Sequence, residues 1–415
     1  MSLRKISKWI EAHAEEMVQL QTELTAIPAL GPENGGTGEW ARARLLEEYL
    51  RSHGLDDIDH YDCPDPRVPE GSRPNFAVSL PDPQDGPALW LLTHMDIVPP
   101  GERLPDGSWK GWAGDPYTLR RADDLLIGRG VVDNQQSLVG AVFAARALLE
   151  TGVAPARPVR LLFVSDEETG SRYGLGYVVH TADELFHTDD LIVVPDWGNP
   201  EGDQVEIAEK SLLWFECSVT GRQAHASQPG RAVNAFRAAA ELVFLIDRAL
   251  HMRFDRVDHL YDTPASSFEP TRHGANVPNI NTIPGNETFA FDCRVLPCYE
   301  LDAVLACVEV ECRRADAIHK TETRLIVQAR QDAPPPTSAD SEVVRRLQTA
   351  VEAVHGFKPK PVGTGGMSVA SPLRARGLQV ACYGTTLNTA HGPEESCSIA
   401  AMVADARIFA HMMAT

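Results

Sequence analysis

Short apolar runs that alternate with helical patterns constrain the fold most strongly, and they lie between residues 85 and 200. Three runs are apolar on both faces, as strands buried inside a sheet are: ALWLLT (88–93), VRLLFVS (159–165) and LIVVP (191–195). Between the first two runs, apolar residues recur at helical spacing from Leu138 to Leu149 and predict a crossover helix over 136–150. This alternation predicts a mostly parallel sheet covered by helices.

The middle of the chain predicts a second unit, inserted into the first. Its patterns are, in order, a strand over 212–220, a helix over 232–250, strands at about 276–284 and 287–296 joined by a turn at Pro284–Gly285, a helix over 301–315 and a strand over 323–329. This β-α-β-β-α-β order is that of a ferredoxin-like unit. A proline-rich break follows at 331–338, and then a helix (341–355) and a strand (377–385) resume the first pattern. We therefore predict an outer domain of residues 1–211 and 331–415, and an inserted domain of residues 212–330.

Length and charge exclude several classes of protein. A chain of 415 residues is long enough for two domains. Its formal charge of −20 repels phosphate backbones and anionic membrane surfaces, so nucleic acid and membranes are not expected partners. No apolar run is long enough to span a membrane, and the N-terminal residues Ile6, Ile10, Met17 and Leu20 have the spacing of an amphipathic helix rather than of a signal peptide. These features predict a cytoplasmic protein.

The eight cysteines do not suggest a disulfide framework or a Cys-x-x-Cys site. A chain of this length does not depend on disulfides for its stability. We therefore expect reduced thiols that are mostly buried.

Side chains that commonly bind metals follow each predicted strand of the outer domain. Along the chain these are His94 and Asp96 after the first strand, Asp133 at the start of the crossover helix, Glu167 and Glu168 after the second strand, Asp196 after the third, and His391 after the last. The carboxyl ends of parallel strands line one crevice at the edge of a sheet, so these side chains are expected to lie close together.

Each of these residues also has an ordinary structural explanation when it is taken alone. Asp133 would serve as a helix N-cap, Glu167 and Glu168 as solvated charges, and Asp196 as the cap of a turn. Several carboxylates at one edge resist ionisation, however, unless a cation neutralises them. Two imidazoles and three carboxylates suit two divalent ions and favour zinc, cobalt or manganese over calcium. A spare glutamate beside them can deprotonate a water molecule.

Seven segments resemble the successive motifs of a known family. They are LLTHMDIVPPG, GRGVVDNQQS, VSDEETGS, GRQAHASQPGRAVNA, NTIPG, FDCRVLP and TAHGPEES. In this order they resemble the acetylornithine deacetylase, succinyl-diaminopimelate desuccinylase, aminoacylase and carboxypeptidase G family of metallohydrolases, over essentially the whole chain. The resemblance implies a zinc-aminopeptidase-like αβα catalytic domain with an inserted ferredoxin-like α+β lid, through which two subunits form a homodimer.

The resemblance also implies a role for individual residues of the outer domain. His94, Asp133 and Asp196 would hold one metal, and Asp133, Glu168 and His391 the other, with Asp133 as the bridge. Asp96 would orient the His94 ring. Glu167 would be the general base. A cis peptide bond is expected after Asp133.

In the inserted domain the resemblance implies residues that contact the substrate. His225 would reach the active site of the partner subunit and stabilise the oxyanion. Asn281 and Arg294 would bind the α-carboxylate of the substrate, for which a guanidinium offers two parallel hydrogen bonds. An ordinary histidine at a strand end is the alternative for His225, and a structural salt bridge is the alternative for Arg294.

The predicted reaction is hydrolysis of the amide bond of an N-acyl amino acid, acetylornithine-like or succinyl-diaminopimelate-like, through attack by a metal-bound hydroxide. A dipeptidase or carboxypeptidase of the same family is the alternative, with a short peptide as substrate. Two further alternatives are an aminopeptidase with one metal and a non-catalytic binding protein, which would have lost a ligand or the base. Two departures leave the substrate open: the loop Gly365–Val369 lacks the aspartate of many relatives, and Glu394 stands where asparagine is common.

Overall fold

A computed structural model describes residues 2–81, 85–366 and 368–415. The chain divides into two compact units. The outer unit comprises Met1–Ile207, Pro336–Pro361 and Ser368–Thr415, and the inserted unit comprises Ala208–Pro335 and Val362–Met367. The sequence pattern predicts boundaries after residues 211 and 330, whereas the units change after 207 and 335. The short segment 362–367, which the pattern assigns to the outer domain, belongs to the inserted unit.

The described residues form ten α-helices and nineteen strands. The helices are α1 (Ser2–Ala12), α2 (Ala14–Thr25), α3 (Trp40–Ser52), α4 (Gln136–Thr151), α5 (Leu175–Thr181), α6 (Ala235–Arg253), α7 (Leu301–His319), α8 (Glu342–His355), α9 (Ser371–Ala375) and α10 (Ile399–Ala414). The strands are β1 (Asp57–His60), β2 (Cys63–Pro64), β3 (Ser72–Arg73), β4 (Phe76–Ser79), β5 (Leu89–His94), β6 (Arg120–Ala122), β7 (Leu125–Ile127), β8 (Val159–Val164), β9 (Leu191–Val194), β10 (Gln204–Glu209), β11 (Ser211–Thr220), β12 (Ala224–His225), β13 (Ser267–His273), β14 (Thr282–Ile283), β15 (Asn286–Val295), β16 (Glu322–Gln331), β17 (Lys360–Thr364), β18 (Val380–Cys382) and β19 (Ser396–Ser398).

The largest sheet has eight strands in the order β1-β4-β8-β5-β9-β18-β10-β17. Its central strands β8, β5, β9 and β18 pair in parallel, while β1, β4 and β10 pair antiparallel on either side. Every residue of β5 is buried, and nearly all of α4 is buried where it packs against α10. The predicted parallel, helix-covered sheet is therefore confirmed at its centre, where strands covered on both faces must be apolar throughout.

The inserted unit is built on a four-stranded antiparallel sheet in the order β13-β15-β11-β16. Alternate residues of β11, from Leu213 to Val219, are fully buried in one core with residues of α6 and α7. The order β11-α6-β13-β15-α7-β16 confirms the ferredoxin-like prediction.

One predicted strand of this unit, at 276–284, is wrong. The strand that pairs with β15 is β13, at Ser267–His273, and Thr282–Ile283 forms instead a short ribbon with Ala224–His225. Proline disfavours a strand because it has no N–H to donate to the ladder. Pro270 therefore makes the sequence pattern argue against a strand where β13 forms. β13 accommodates Pro270 because it is an edge strand with a register shift at this point.

Two smaller expectations are confirmed. The N-terminal residues Ile6, Ile10, Met17 and Leu20 are buried, although the chain forms two helices there, separated at His13, instead of one. All eight cysteines are free thiols, and all but Cys298 are buried. None of the helices in the described ranges has the length and apolar character needed to cross a membrane.

Candidate metal centre

The carboxyl ends of three adjacent parallel strands of the outer unit carry the predicted metal ligands. His94 is the last residue of β5, Glu167 and Glu168 begin a short turn after β8, and Asp196 follows β9 by two residues. His391 lies in the loop that follows β18. Because β8, β5 and β9 are neighbours in the sheet, their ends deliver these side chains to one edge.

Asp133 lies between two histidines. One carboxylate oxygen, Oδ1, is 3.0 Å from His94 Nε2, and the other, Oδ2, is 3.1 Å from His391 Nε2. Asp133 belongs to the turn Val131–Gln135 before α4, and its peptide bond to Asn134 is cis, as expected. The carboxylate thus presents its two oxygens to two different imidazoles, which is the arrangement that a bridging ligand requires.

Each of these histidines also meets a second carboxylate. His94 Nε2 is 3.3 Å from Asp196 Oδ1, and His391 Nε2 is 2.9 Å from Glu168 Oε2. Two sets of residues could each hold a metal ion, because the ligand atoms within each set all lie within 4.8 Å of one another. They are His94, Glu167 and Asp196, and His94, Asp133 and Glu168. The first set differs from the predicted one because it includes Glu167 in place of Asp133. The second set contains His94 in place of His391, although His391 contacts both Asp133 and Glu168.

Three carboxyl groups of this cluster resist ionisation, whereas hydrogen bonds with His391 and His94 outweigh the effect of burial and lower the pKa of Asp133 below its usual range. Burial, followed by the nearby charge of Asp196, raises the pKa of Glu167 well above its usual range. Burial also raises the pKa of Glu168 to about 7, against the effect of its hydrogen bond with His391. The pKa of Asp196 is likewise raised by burial. Buried acids that crowd together in this way are stabilised by a nearby cation.

Neighbouring carboxylates raise the pKa values of the two imidazoles. Burial lowers the pKa of His94, but Asp196 and the hydrogen bond with Asp133 outweigh it and raise that pKa well above the usual range. Hydrogen bonds with Asp133 and Glu168 raise the pKa of His391 to about 10. The donor set of imidazoles and carboxylates therefore fits divalent ions of the zinc type, which these residues can hold when they are neutral imidazoles and ionised carboxylates.

Asp96 contacts more of the cluster than the sequence suggests. It is 3% exposed, and its Oδ1 lies 3.4 Å from His94 Nδ1. Its two carboxylate oxygens accept hydrogen bonds from the backbone N–H groups of Glu167 and Glu168, each at 3.0 Å. Asp96 therefore contacts the His94 ring and also holds the turn that carries both glutamates.

Comparison with known proteins identifies the family. Residues 90–415 match the model of peptidase family M20/M25/M40. The chain belongs to this family. An uncharacterized metallohydrolase of Methanococcus maripaludis is 33% identical over 418 residues, which cover 95% of this chain and 98% of the relative. A succinyl-diaminopimelate desuccinylase of Alkalilimnicola ehrlichii is 28% identical over 397 residues, covering 95% and 97% of the two chains.

Solved structures agree on the fold. The crystal structure of human carnosine dipeptidase 1 superposes with a TM-score of 0.76 at 17% identity and covers 100% of this chain and 98% of its own. The mixed α/β architecture is thus that of the M20 peptidases, and the chain is a metallohydrolase of that family whose outer unit carries groups able to hold metal.

The inserted unit of this M20 metallohydrolase brings two of the predicted substrate residues together. His225 pairs with Thr282 across the ribbon of β12 and β14, and the N–H of Ala226 donates to the carbonyl oxygen of Asn281 at 2.8 Å. The His225 side chain is exposed, and its Nδ1 is 2.7 Å from Ser227 Oγ. His225 and Asn281 are therefore neighbours at the end of this half-buried ribbon, and both are exposed.

Arg294 is held on β15 by contacts within the inserted unit. Its Nε donates to Asp292 Oδ1 at 2.7 Å, and its Nη1 donates to the carbonyl of Gly365 at 3.2 Å. The salt bridge considered as the structural alternative is therefore present. Gly365 belongs to the loop that departs from the family pattern, of which Met367 lies outside the described residues.

Three polar residues of the M20 centre were not singled out from the sequence. Asn134 donates from Nδ2 to Asp196 Oδ1 at 2.7 Å, and its only sequence signal is its place directly after Asp133. Glu395 and Arg129 form a buried ion pair beside the Asp133 turn. The adjacent Glu394, at which the sequence departs from the family pattern, forms an ion pair with Arg120. Its Oε1 accepts a hydrogen bond from the N–H of Ala113 at 2.8 Å.

Proposed function

We propose that this chain is a two-metal amidohydrolase that cleaves the amide bond of an N-acyl amino acid. The observation that carries the proposal is Asp133, whose two oxygens lie 3.0 and 3.1 Å from the imidazoles of His94 and His391. A single carboxylate placed between two histidines, each with a further acid beside it, suits a pair of ions about 3.5–4 Å apart. The desuccinylase relative supports the acyl substrate.

In this proposal His94, Asp133 and Asp196 hold one ion, and Asp133, Glu168 and His391 hold the other. Zinc is the favoured metal, with cobalt and manganese as alternatives, because imidazole and carboxylate ligands suit all three. When bound, two such ions supply polarisation of the scissile carbonyl and a lowered pKa of water. Asp96 and Asn134 keep the ligands in place through their hydrogen bonds.

Glu167 moves the proton. It takes the proton of the attacking water and passes it to the nitrogen of the leaving amine. Its position supports this role: its ligand atom lies within 4.8 Å of those of His94 and Asp196, and its backbone is fixed by Asp96. Burial raises its pKa, which is the usual way in which a carboxyl group is adapted to accept and return a proton near neutral pH.

The inserted unit supplies the substrate contacts in this proposal. His225 is exposed on its ribbon and would stabilise the oxyanion at the active site of a partner subunit in a homodimer. Asn281, on the same ribbon, and Arg294 would bind the α-carboxylate. The homodimer and the cytoplasmic location stay predictions from the sequence.

A dipeptidase or carboxypeptidase is the second candidate. The likeness to human carnosine dipeptidase 1 favours it, although at 17% identity that likeness concerns the fold. Both candidates use the same reaction, because a peptide bond and an acyl-amino acid bond are both amides flanked by a carboxylate. The difference lies in the group on the acyl side.

A turnover screen with a metal count tests the proposal. The purified protein is loaded with zinc or cobalt, its metal content per chain is measured, and N-succinyl amino acids, N-acetyl amino acids and dipeptides are assayed in parallel. Two ions per chain and preferred release of an acyl group support the proposal. Preferred cleavage of dipeptides supports the second candidate, and a single ion per chain with full activity contradicts the two-metal site.

A further inference from the structure

The side chain of Glu395 is buried against the turn that carries Asp133. It is 1% exposed, and its two oxygens accept four hydrogen bonds. Oε1 accepts from the backbone N–H groups of Val132 and Asp133, both at 3.1 Å, and Oε2 accepts from the N–H of Gly130 at 3.0 Å and from Arg129 Nη1 at 2.5 Å. Three N–H groups of one turn therefore converge on one carboxylate, as in the anion-binding nests formed by consecutive backbone groups.

Arg129 extends this contact to the loop of His391. Its side chain is 1% exposed. While Nη1 binds Glu395, Nη2 donates to the carbonyl oxygens of His391 at 3.3 Å and Gly392 at 3.1 Å. The guanidinium also lies 5.3 Å from the centre of the Trp112 ring. Arg129 and Glu395 thus join the two backbone segments that carry Asp133 and His391.

The pairing of two short strands explains why these distant residues meet. β7 and β19 are antiparallel, with Ile127 opposite Ser396. The ladder is continued by the N–H of Gly128, which donates to the carbonyl of Glu395 at 3.0 Å. The Glu395 side chain is thereby placed beside the residues that follow β7, which are those of the Asp133 turn.

The turn approaches its neighbours so closely that it requires a glycine. Gly130 has a φ of +85°, in the left-handed region, and a Cβ there would lie 2.5 Å from Cγ2 of Ile97. Close packing at Gly130 and hydrogen bonds with the Glu395 carboxylate therefore both constrain the backbone of the turn.

We propose that Arg129 and Glu395 are a positioning pair that presets Asp133 and His391 for metal binding. This inference rests on the proposed two-metal site, in which Asp133 serves both ions. Loss of the pair therefore weakens the binding of both ions, whereas loss of His391 affects the ion to which that imidazole belongs. Hydrogen-bond partners of metal ligands typically contribute about 10–100-fold to metal affinity.

The test compares Glu395→Gln with Glu394→Gln. The two variants make the same substitution at adjacent positions, but Glu394 is bound to Arg120 and Ala113 instead of the Asp133 turn. For both, the dissociation constants of the two ions are measured by competition with a chelator, and the absorption spectrum of the cobalt-loaded protein is recorded. Glu395→Gln is expected to weaken both ions about 10–100-fold and to alter the cobalt spectrum, with activity recovered at high cobalt concentration. Glu394→Gln is expected to retain the wild-type affinities and spectrum.

Wild-type affinities and spectrum in Glu395→Gln would overturn the inference. Circular dichroism of the metal-free variants shows whether they fold. If Glu395→Gln does not fold, Arg129→Lys is tested instead, because it keeps the positive charge but removes the forked guanidinium. Weaker binding of both ions by this variant supports the inference, and unchanged binding overturns it. A wild-type protein that binds fewer than two ions contradicts the proposed function instead, so the two failures are distinguishable.

Discussion

The carboxylate of Asp96 accepts a hydrogen bond from the backbone N–H of Glu167 at 3.0 Å. Its second oxygen accepts from the next N–H, that of Glu168, at the same distance. One buried aspartate therefore holds the backbone of both the proposed base and a proposed ligand. Both carboxylate oxygens of Asp96 must therefore accept hydrogen bonds from the backbone, in addition to the contact of Oδ1 with the His94 ring.

Asp96→Asn is expected to lower kcat/KM by about 10–100-fold. An amide has one acceptor oxygen, so its NH₂ group would face one of the two N–H groups and displace the turn that carries Glu167 and Glu168. Steady-state kinetics on the metal-loaded variant measure the effect. Asp106→Asn is the matched control, because Asp106 accepts a backbone N–H, that of Ser108, at 2.9 Å in an exposed loop. Equal kinetics in the two variants would contradict the role of Asp96.

Glu167→Gln is expected to retain both ions and to lower kcat by at least about 10²–10⁴-fold. The substitution removes proton transfer but none of the proposed ligands. Metal analysis and turnover are measured on the same preparation. Turnover close to that of wild type in the fully loaded variant would exclude Glu167 as the base.

His94→Ala and His391→Ala are each expected to lose one ion preferentially. Their imidazoles lie on opposite sides of Asp133, next to Asp196 and Glu168 respectively. Elemental analysis after dialysis against a weak chelator counts the ions that remain. Retention of two ions by both variants would show that the proposed ligand sets are incorrect.

Mixed dimers test the proposed sharing of His225 between subunits. His225→Ala and Glu167→Gln are each expected to be inactive with metal bound. In a hybrid of the two, one of its two sites has both an intact base and an intact partner histidine, so about half of the wild-type activity per dimer is expected. Turnover is measured on the doubly tagged hybrid after co-refolding. A folded, metal-loaded hybrid without activity would mean that His225 serves its own chain or only its structure.

Stability is expected to depend on pH through Asp405. Burial raises the pKa of this residue to about 6, although it accepts hydrogen bonds from the N–H of Thr385 and from Gln136. Because the pKa is higher in the folded state than in the unfolded chain, the contribution to stability is present at low pH and is lost as the pH rises through about 6.

The unfolding free energy of wild type relative to Asp405→Asn is therefore expected to fall by about 1–2 kcal/mol between pH 5 and pH 8. Urea unfolding of both proteins at several pH values measures the difference. Asp59→Asn, at an exposed position of β1, is the control variant. A difference between wild type and Asp405→Asn that stays constant with pH would refute the expectation.

Much of the site was predictable because its signals are local. A strand that is buried on both faces is apolar throughout, so the end of such a run marks where the chain leaves the sheet. His94 ends β5, Glu167 and Asp196 follow the ends of β8 and β9, and parallel strands share one carboxyl edge. Local pattern and topology together therefore predicted which side chains converge, without any measured distance.

The position of β13 shows where local signals fail. Pro270 argues against a strand in the sequence, and only the place of β13 at the edge of its sheet, with a register shift, makes the proline acceptable. Whether a strand lies at an edge depends on the pairing of the other strands. That information is not present in the segment itself.

The sequence by itself determined the alternation of strands and helices, the insertion of a ferredoxin-like unit and the set of candidate ligands, because each depends on the periodicity or order of nearby residues. Tertiary structure alone decided that Glu395 meets the N–H groups of the Asp133 turn and that Asp96 holds the backbone of Glu167. The first contact depends on the pairing of β7 with β19 and the second on the adjacency of β5 and β8. Hydrogen bonds between such distant segments are formed only when the whole sheet assembles, so no local pattern encodes them.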